Sequence, residues 1–231
     1  MPVIKQILQG FLGFALPNTC LCCEAVLDTG TVFICGSCKA KLVKFDENHP
    51  WKDEEIAGGN IDDSFSIYSF IEGTEIQTLL HALKYEKMKS VGTMFGREIG
   101  TRISETNGVK FDYAVPVPLH RAKERERTYN QSLFICKGIG ESLKIDVLDK
   151  CLTRNRFTET QTKLHKSQRK ENVRGAFEIN PKFKQTVIGK NIILVDDVIT
   201  TGATILECAH VLKENGCGKI LVCSAAYAVL H

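Results

Sequence analysis

Residues 191–204, Asn-Ile-Ile-Leu-Val-Asp-Asp-Val-Ile-Thr-Thr-Gly-Ala-Thr, constrain the fold more than any other segment of the chain. Ile192 to Val195 form an unbroken run of β-branched and leucine side chains, the pattern of a parallel strand covered on both faces. Asp196 and Asp197 follow, at the expected end of that strand. Thr200, Thr201, Gly202, Ala203 and Thr204 then make a small-residue turn that feeds a helical pattern through Ile205, Ala209 and Leu212 and stops near Gly216. The turn is therefore a helix N-terminus. Free backbone N–H groups and the positive end of the helix dipole converge there, and a glycine lets a ligand approach the backbone. Such a turn suits a dianionic phosphate monoester. The two carboxylates beside it suit neighbouring hydroxyls or a magnesium ion.

Strand and helix patterns alternate along the rest of the chain. Strands are expected at Phe65 to Ile71, Phe111 to Val117, Ile145 to Leu148 and from Ile220 onward. Helices are expected from Thr74 to Met88, Val91 to Ile103 and Tyr129 to Leu143. Alternation of this kind predicts an α/β fold, a parallel-rich sheet flanked by helices with its ligand at the carboxyl ends of the strands.

Ten cysteines in 231 residues form no disulfide framework in a reducing compartment, and half of them cluster near the start. Cys20 and Cys23 make one C-x2-C knuckle, and Cys35 and Cys38 make a second after eleven intervening residues. Two such knuckles predict a tetrahedral, structural zinc site with no open coordination position. Cys22 lies inside the first knuckle and can in principle replace either neighbour. A segment this short and poor in core residues needs the metal in order to fold. The chain thus divides into an N-terminal helix and zinc module, residues 1–45, and a larger domain, residues 46–231. The six histidines are scattered and suggest no second metal centre.

No run is long and apolar enough to span a membrane. Val3 to Leu16 places Ile4, Ile7, Leu8, Phe11 and Leu12 on one helical face, which reads as a docking helix in preference to a membrane-surface helix; no cleavage site follows it. The expected location is the cytoplasm. The net charge of +3 conceals an asymmetry: nine acidic residues and one lysine between Asp46 and Glu75, against eight basic and two acidic residues between Lys150 and Arg174. The acidic run is a solvated face or a partner surface, and the basic run points to phosphates or nucleic acid. Arg121, Lys123, Arg125 and Arg127 crowd a predicted loop after Val115-Pro-Val-Pro-Leu-His-Arg, where cations would meet a pyrophosphate group.

The strand, acid pair and Thr-Thr-Gly turn resemble the phosphoribosyl-pyrophosphate (PRPP) signature of type I phosphoribosyltransferases. Leu83-Lys-Tyr, Val-Pro-Val-Pro-Leu-His-Arg, Arg-x-Tyr-Asn-Gln at Arg127 to Gln131, Thr158 to Leu164, Arg169 to Val173 and Gly175-Ala-Phe, with the four cysteines, resemble the ComF family of competence-associated proteins across nearly the whole chain. Thr128 stands where a ComF sequence usually has glycine.

The resemblance implies ribose contacts from Asp196 and Asp197, a 5-phosphate cradle at Thr200 to Thr204, and pyrophosphate contacts from Lys84, Arg121 and Lys123. It implies Mg2+-dependent transfer of a phosphoribosyl group, a pentosyl transfer, to an acceptor recognised by a hood that includes Thr153 to Val173. The other implied role is a competence accessory protein that binds single-stranded DNA, through the zinc module and the basic stretch, and partners a DNA helicase.

Overall fold

The structure, a computed structural model, describes residues 18–45, 60–106, 108–119, 121–155 and 174–228. The expected N-terminal helix, the first part of the acidic run, the Thr158 to Leu164 and Arg169 to Val173 motifs, and most of the hood stretch lie outside the described residues.

Five strands form one parallel sheet in the order β1-β7-β6-β2-β3. They are β1 (Asp63–Ser69), β2 (Tyr113–Pro116), β3 (Asp146–Val147), β6 (Ile192–Ile199) and β7 (Ile220–Tyr227). A separate antiparallel pair, β4 (Leu152–Arg154) with β5 (Phe177–Ile179), stands beside the sheet. The helices are α1 (Gly36–Ala40), α2 (Glu75–Tyr85), α3 (Lys89–Thr106), α4 (Arg121–Arg127), α5 (Gln131–Leu143), α6 (Lys184–Val187) and α7 (Ala203–Glu214). None of the described helices is long and apolar enough to cross a membrane.

Alternating side chains of β6 divide the core. Ile193 and Val195 bury against α2, α3 and α5, whereas Ile192 and Leu194 bury against α7 and the β4–β5 pair. Helix α2 belongs on the first face because Ile76, Leu79, Leu80 and Leu83 repeat at helical spacing and are buried. Helix α7 does the same on the second face with Ile205, Cys208, Ala209 and Leu212. Adjacent strands β2 and β6 thus send their following helices to opposite faces, which opens a crevice at their carboxyl ends.

Helices α3 and α5 touch backbone to backbone at a pair of glycines. A Cβ on Gly96 would lie 2.0 Å from the Ile135 carbonyl oxygen, and one on Gly138 would lie 2.2 Å from that of Thr93. Only glycine permits this approach.

Two expectations need correction. The stretch after Val117, expected as a loop, contains α4; its Arg-Ala-Lys-Glu-Arg-Glu-Arg sequence has no apolar face by which periodicity could reveal it. Asp196 and Asp197 lie inside β6, which pairs with β7 as far as Ile199 and Tyr227, while its pairing with β2 stops at Val195 and Pro116. The acids therefore emerge just beyond the end of one neighbouring strand and remain held by the other.

The cysteine-bearing segment leads into the edge of the sheet. Ser69 N–H donates to the Val43 carbonyl at 2.9 Å and Phe45 N–H to that of Ile67 at 3.0 Å, so this segment covers the open side of β1. Leu27 and Ile34 are buried in the same apolar cluster as α2.

Candidate functional site

The cradle forms where β6 turns into α7. Gly202 takes a left-handed φ of +75° at the N-cap, a conformation open to glycine at little cost. Residues 198–205 and Asp196 line a concavity of about 240 Å³ that opens to solvent. Thr200, Thr201, Gly202, Ala203 and Thr204 are thus brought together with one of the two acids.

The second acid faces elsewhere. Neighbouring residues on a strand point to opposite faces, and Asp197 meets Lys84 from the last turn of α2, Oδ2 to Nζ, at 3.2 Å. Their contact is an ion pair off the line of a hydrogen bond, which leaves that buried oxygen without a hydrogen-bond donor among the described residues. The other oxygen of Asp197 accepts from the Val198 N–H at 2.7 Å. Asp196 Oδ1 accepts from Ser132 Oγ at 3.1 Å and from the Asp197 N–H at 2.9 Å. Asp196 keeps some surface toward the concavity but is otherwise packed in protein, and that burial, with the charge of Asp197 second, pushes its carboxyl up to about 7. A buried acid pair with an oxygen lacking a donor fits an oxygen-seeking cation such as Mg2+.

Cations gather on the other side. Burial, then the charges of Arg127 and Arg154, hold the Lys123 ammonium below its ordinary range; Asp197 and Lys84 also lie within its electrostatic reach. Arg154 of β4 stands over the Phe177 ring, its Cζ 5.2 Å from the centroid, and is held down by burial while it feels the charge of Asp196. Arg127 donates to Gln131 Oε1 at 3.1 Å. Of the expected pyrophosphate contacts, Lys84 and Lys123 are brought together; the Arg121 side chain lies outside the described residues.

Sequence reasoning missed Ser132 and placed Arg154 only in a basic run, not beside the acids. Ser132 follows the Asn130 N-cap of α5 and reaches Asp196 across the end of β2; Arg154 comes from a short strand far away in the chain. Arg127, expected among the cations crowded after Val117, does lie within electrostatic reach of Lys123. Its successor, Thr128, takes φ +67°, a left-handed value that favours glycine and that costs a β-branched residue strain. The next residue, Tyr129, is buried and donates its hydroxyl to the Leu83 carbonyl, which ties the start of α5 to the turn that carries Lys84.

The four sulfurs of Cys20, Cys23, Cys35 and Cys38 lie within 4.8 Å of one another, those of Cys23 and Cys35 at 3.7 Å. Zinc–sulfur bonds of about 2.3 Å in a tetrahedron require sulfurs about 3.8 Å apart. The Cys35 N–H points to the Cys20 sulfur at 3.3 Å and the Cys38 N–H to the Cys35 sulfur at 3.5 Å, a pre-formed pair of knuckles. Cys22 turns away toward the Glu75 carbonyl, 3.9 Å distant. This cluster could hold a metal ion such as zinc.

The description "Phosphoribosyl transferase domain" fits residues 149–228, the span that contains the cradle and both acids. "DNA utilization protein YhgH" of Escherichia coli (strain K12) is 30% identical over 151 residues, covering 64% of this chain and 65% of that one. "Competence protein ComFC" of Bacillus subtilis (strain 168) is 25% identical over 201 residues, 79% of each chain. These relatives and the domain match support the resemblance of the chain to the ComF family. The match to the Escherichia coli relative spans 65% of that relative's length. Among solved structures, this chain is similar to the Bacillus subtilis glutamine PRPP amidotransferase complexed with ADP and GMP, with 20% identity, a TM-score of 0.41, and coverage of 63% of this chain and 30% of that one. The chain joins a parallel α/β sheet, within which residues 149–228 match a phosphoribosyl transferase domain, to a four-cysteine cluster.

Proposed function

We propose that the protein binds PRPP in the crevice between β6 and β2 and transfers its phosphoribosyl group to an acceptor, with release of pyrophosphate. The observation that carries this reading is the cradle of residues 198–205 opening beside Asp196. In it, the backbone N–H groups at the start of α7 and the threonine hydroxyls bind the 5-phosphate. Asp196 and Asp197 accept hydrogen bonds from the ribose hydroxyls. Lys84 and Lys123, with Arg121, neutralise the pyrophosphate as it departs. Mg2+, held by the acid pair, supplies further charge neutralisation when bound. Zinc closes the Cys20, Cys23, Cys35 and Cys38 cluster as a structural ion in an N-terminal module, residues 1–45, ahead of the phosphoribosyltransferase-like domain, residues 46–231. Ten cysteines that form no disulfide among the described residues agree with a cytoplasmic location.

Turnover is tested by following pyrophosphate release from PRPP with Mg2+ and a panel of nitrogenous acceptors. Release that depends on one acceptor and disappears in Asp196→Asn supports transfer. Binding without release from any acceptor would reduce the role to that of a PRPP-binding protein.

A second reading rests on the names of the relatives, a DNA utilization protein and a competence protein. Under it the protein handles single-stranded DNA beside a helicase partner, with PRPP as ligand. Both roles can coexist in one chain.

A further inference from the structure

Lys89 of α3 and Lys137 of α5 both stand over the ring of Phe134, at 5.2 Å and 4.6 Å from its centroid. Lys89 also stands 5.2 Å from the centre of the Tyr129 ring, which meets Phe134 edge-on at 5.3 Å. Two residues before Tyr129, Arg127 lies over the ring of Tyr85 at 5.6 Å, and Tyr85 is 54% exposed beside Lys84. Cations and rings therefore alternate in a band that starts at the Lys84 end of the crevice and crosses the starts of α3 and α5.

The electrostatics of the band are costly without an anion. Lys89 is the first residue of α3, where the helix dipole is positive and acidic residues are favoured; neither α3 nor α5 has an acid in its first turn. Among the described residues neither Lys89 nor Lys137 is ion-paired, whereas nearby Arg97 is neutralised by Glu141 at 2.8 Å. The exposed ring of Tyr85 beside Arg127, followed along the band by the unpaired Lys89 and Lys137, matches the chemistry of a strand with free bases and a phosphate at every step; a duplex hides its base faces.

We infer that this band is a docking track for single-stranded DNA, with Lys89 and Lys137 on phosphates and Tyr85 stacked on a base. The inference rests on the nucleic-acid reading above and gives it a surface distinct from the zinc module and the Lys150 to Arg174 stretch.

The test is fluorescence anisotropy of a labelled oligothymidylate titrated with the zinc-loaded full chain, between about 50 and 200 mM salt. The variants are Lys89→Ala/Lys137→Ala and Tyr85→Ala, with PRPP binding measured in parallel. The double variant is expected to bind at least about tenfold more weakly at the lower salt, and to lose about 1.4 from the slope of log affinity against log salt, about 0.7 for each phosphate contact removed. Tyr85→Ala is expected to weaken binding about tenfold. Both variants should bind PRPP as wild type does. Equal affinity and slope in wild type and double variant would overturn the track and leave DNA binding to another surface. No binding by wild type would overturn the nucleic-acid reading with it. Equal affinity for duplex would overturn the stacking role of Tyr85.

Discussion

The ammonium of Lys84 and the Oδ2 of Asp197 stand 3.2 Å apart, joining the last turn of α2 to the acid-bearing end of β6. Their side chains are 20% and 12% exposed, so removal of one partner strands a charge in protein. Lys84→Met is expected to cost about 3 kcal/mol, which for a chain of this size lowers the melting temperature by about 6 to 12 °C. Lys84→Met/Asp197→Asn should recover most of that loss. Thermal melts of the two variants check it, and an unchanged melting temperature in Lys84→Met would show that the pair contributes nothing.

Asp196 couples the fold to pH. Its carboxyl lies at about 7 in the folded chain because of burial first and Asp197 second, against 3.8 for an ordinary aspartate. Between those values the folded chain holds a proton that the unfolded chain has released, so stability from this group is full below about pH 4 and is lost as the pH rises to about 7. Asp196→Asn cannot titrate. Its ligand-free form should melt several degrees above wild type at pH 8, and the gap should narrow toward pH 5. Parallel curves in melts across that range would contradict the shift.

A methyl group should break the contact between α3 and α5. Gly96→Ala places a Cβ 2.0 Å from the Ile135 carbonyl oxygen, which belongs to a helix backbone and cannot swing aside. The expected loss is about 3 kcal/mol or more. Denaturant unfolding measures it; a loss below about 1 kcal/mol would mean that the helices separate easily.

The cysteines give a further contrast. Cys23→Ser should abolish stoichiometric zinc and loosen the module, whereas Cys22→Ser should retain one zinc per chain, because the Cys22 sulfur faces the Glu75 carbonyl and not the cluster. Elemental analysis of purified variants decides it. Zinc loss in Cys22→Ser would place that residue among the ligands.

What could be read from the sequence follows from how far each signal reaches along the chain. The β6 run, the acids, the Thr-Thr-Gly turn and the cysteine knuckles are local patterns, and their residues meet as neighbours. Helix α4 was hidden because it is charged throughout, and the β4–β5 pair because three-residue strands are too short to show alternation. Ser132 and Arg154 reach the acids only through tertiary packing. The division of labour between Asp196 at the cradle and Asp197 at Lys84 follows from strand alternation, once β6 is known to continue through both residues.

The central claim is that the cradle and acid pair form a PRPP site. Calorimetric titration of PRPP into the zinc-loaded protein, with and without Mg2+ and with Asp196→Asn/Asp197→Asn alongside, tests it most directly. Saturable, Mg2+-dependent binding by wild type that disappears in the double variant is the predicted result. Absence of binding by wild type, or equal binding by the double variant, would contradict the account.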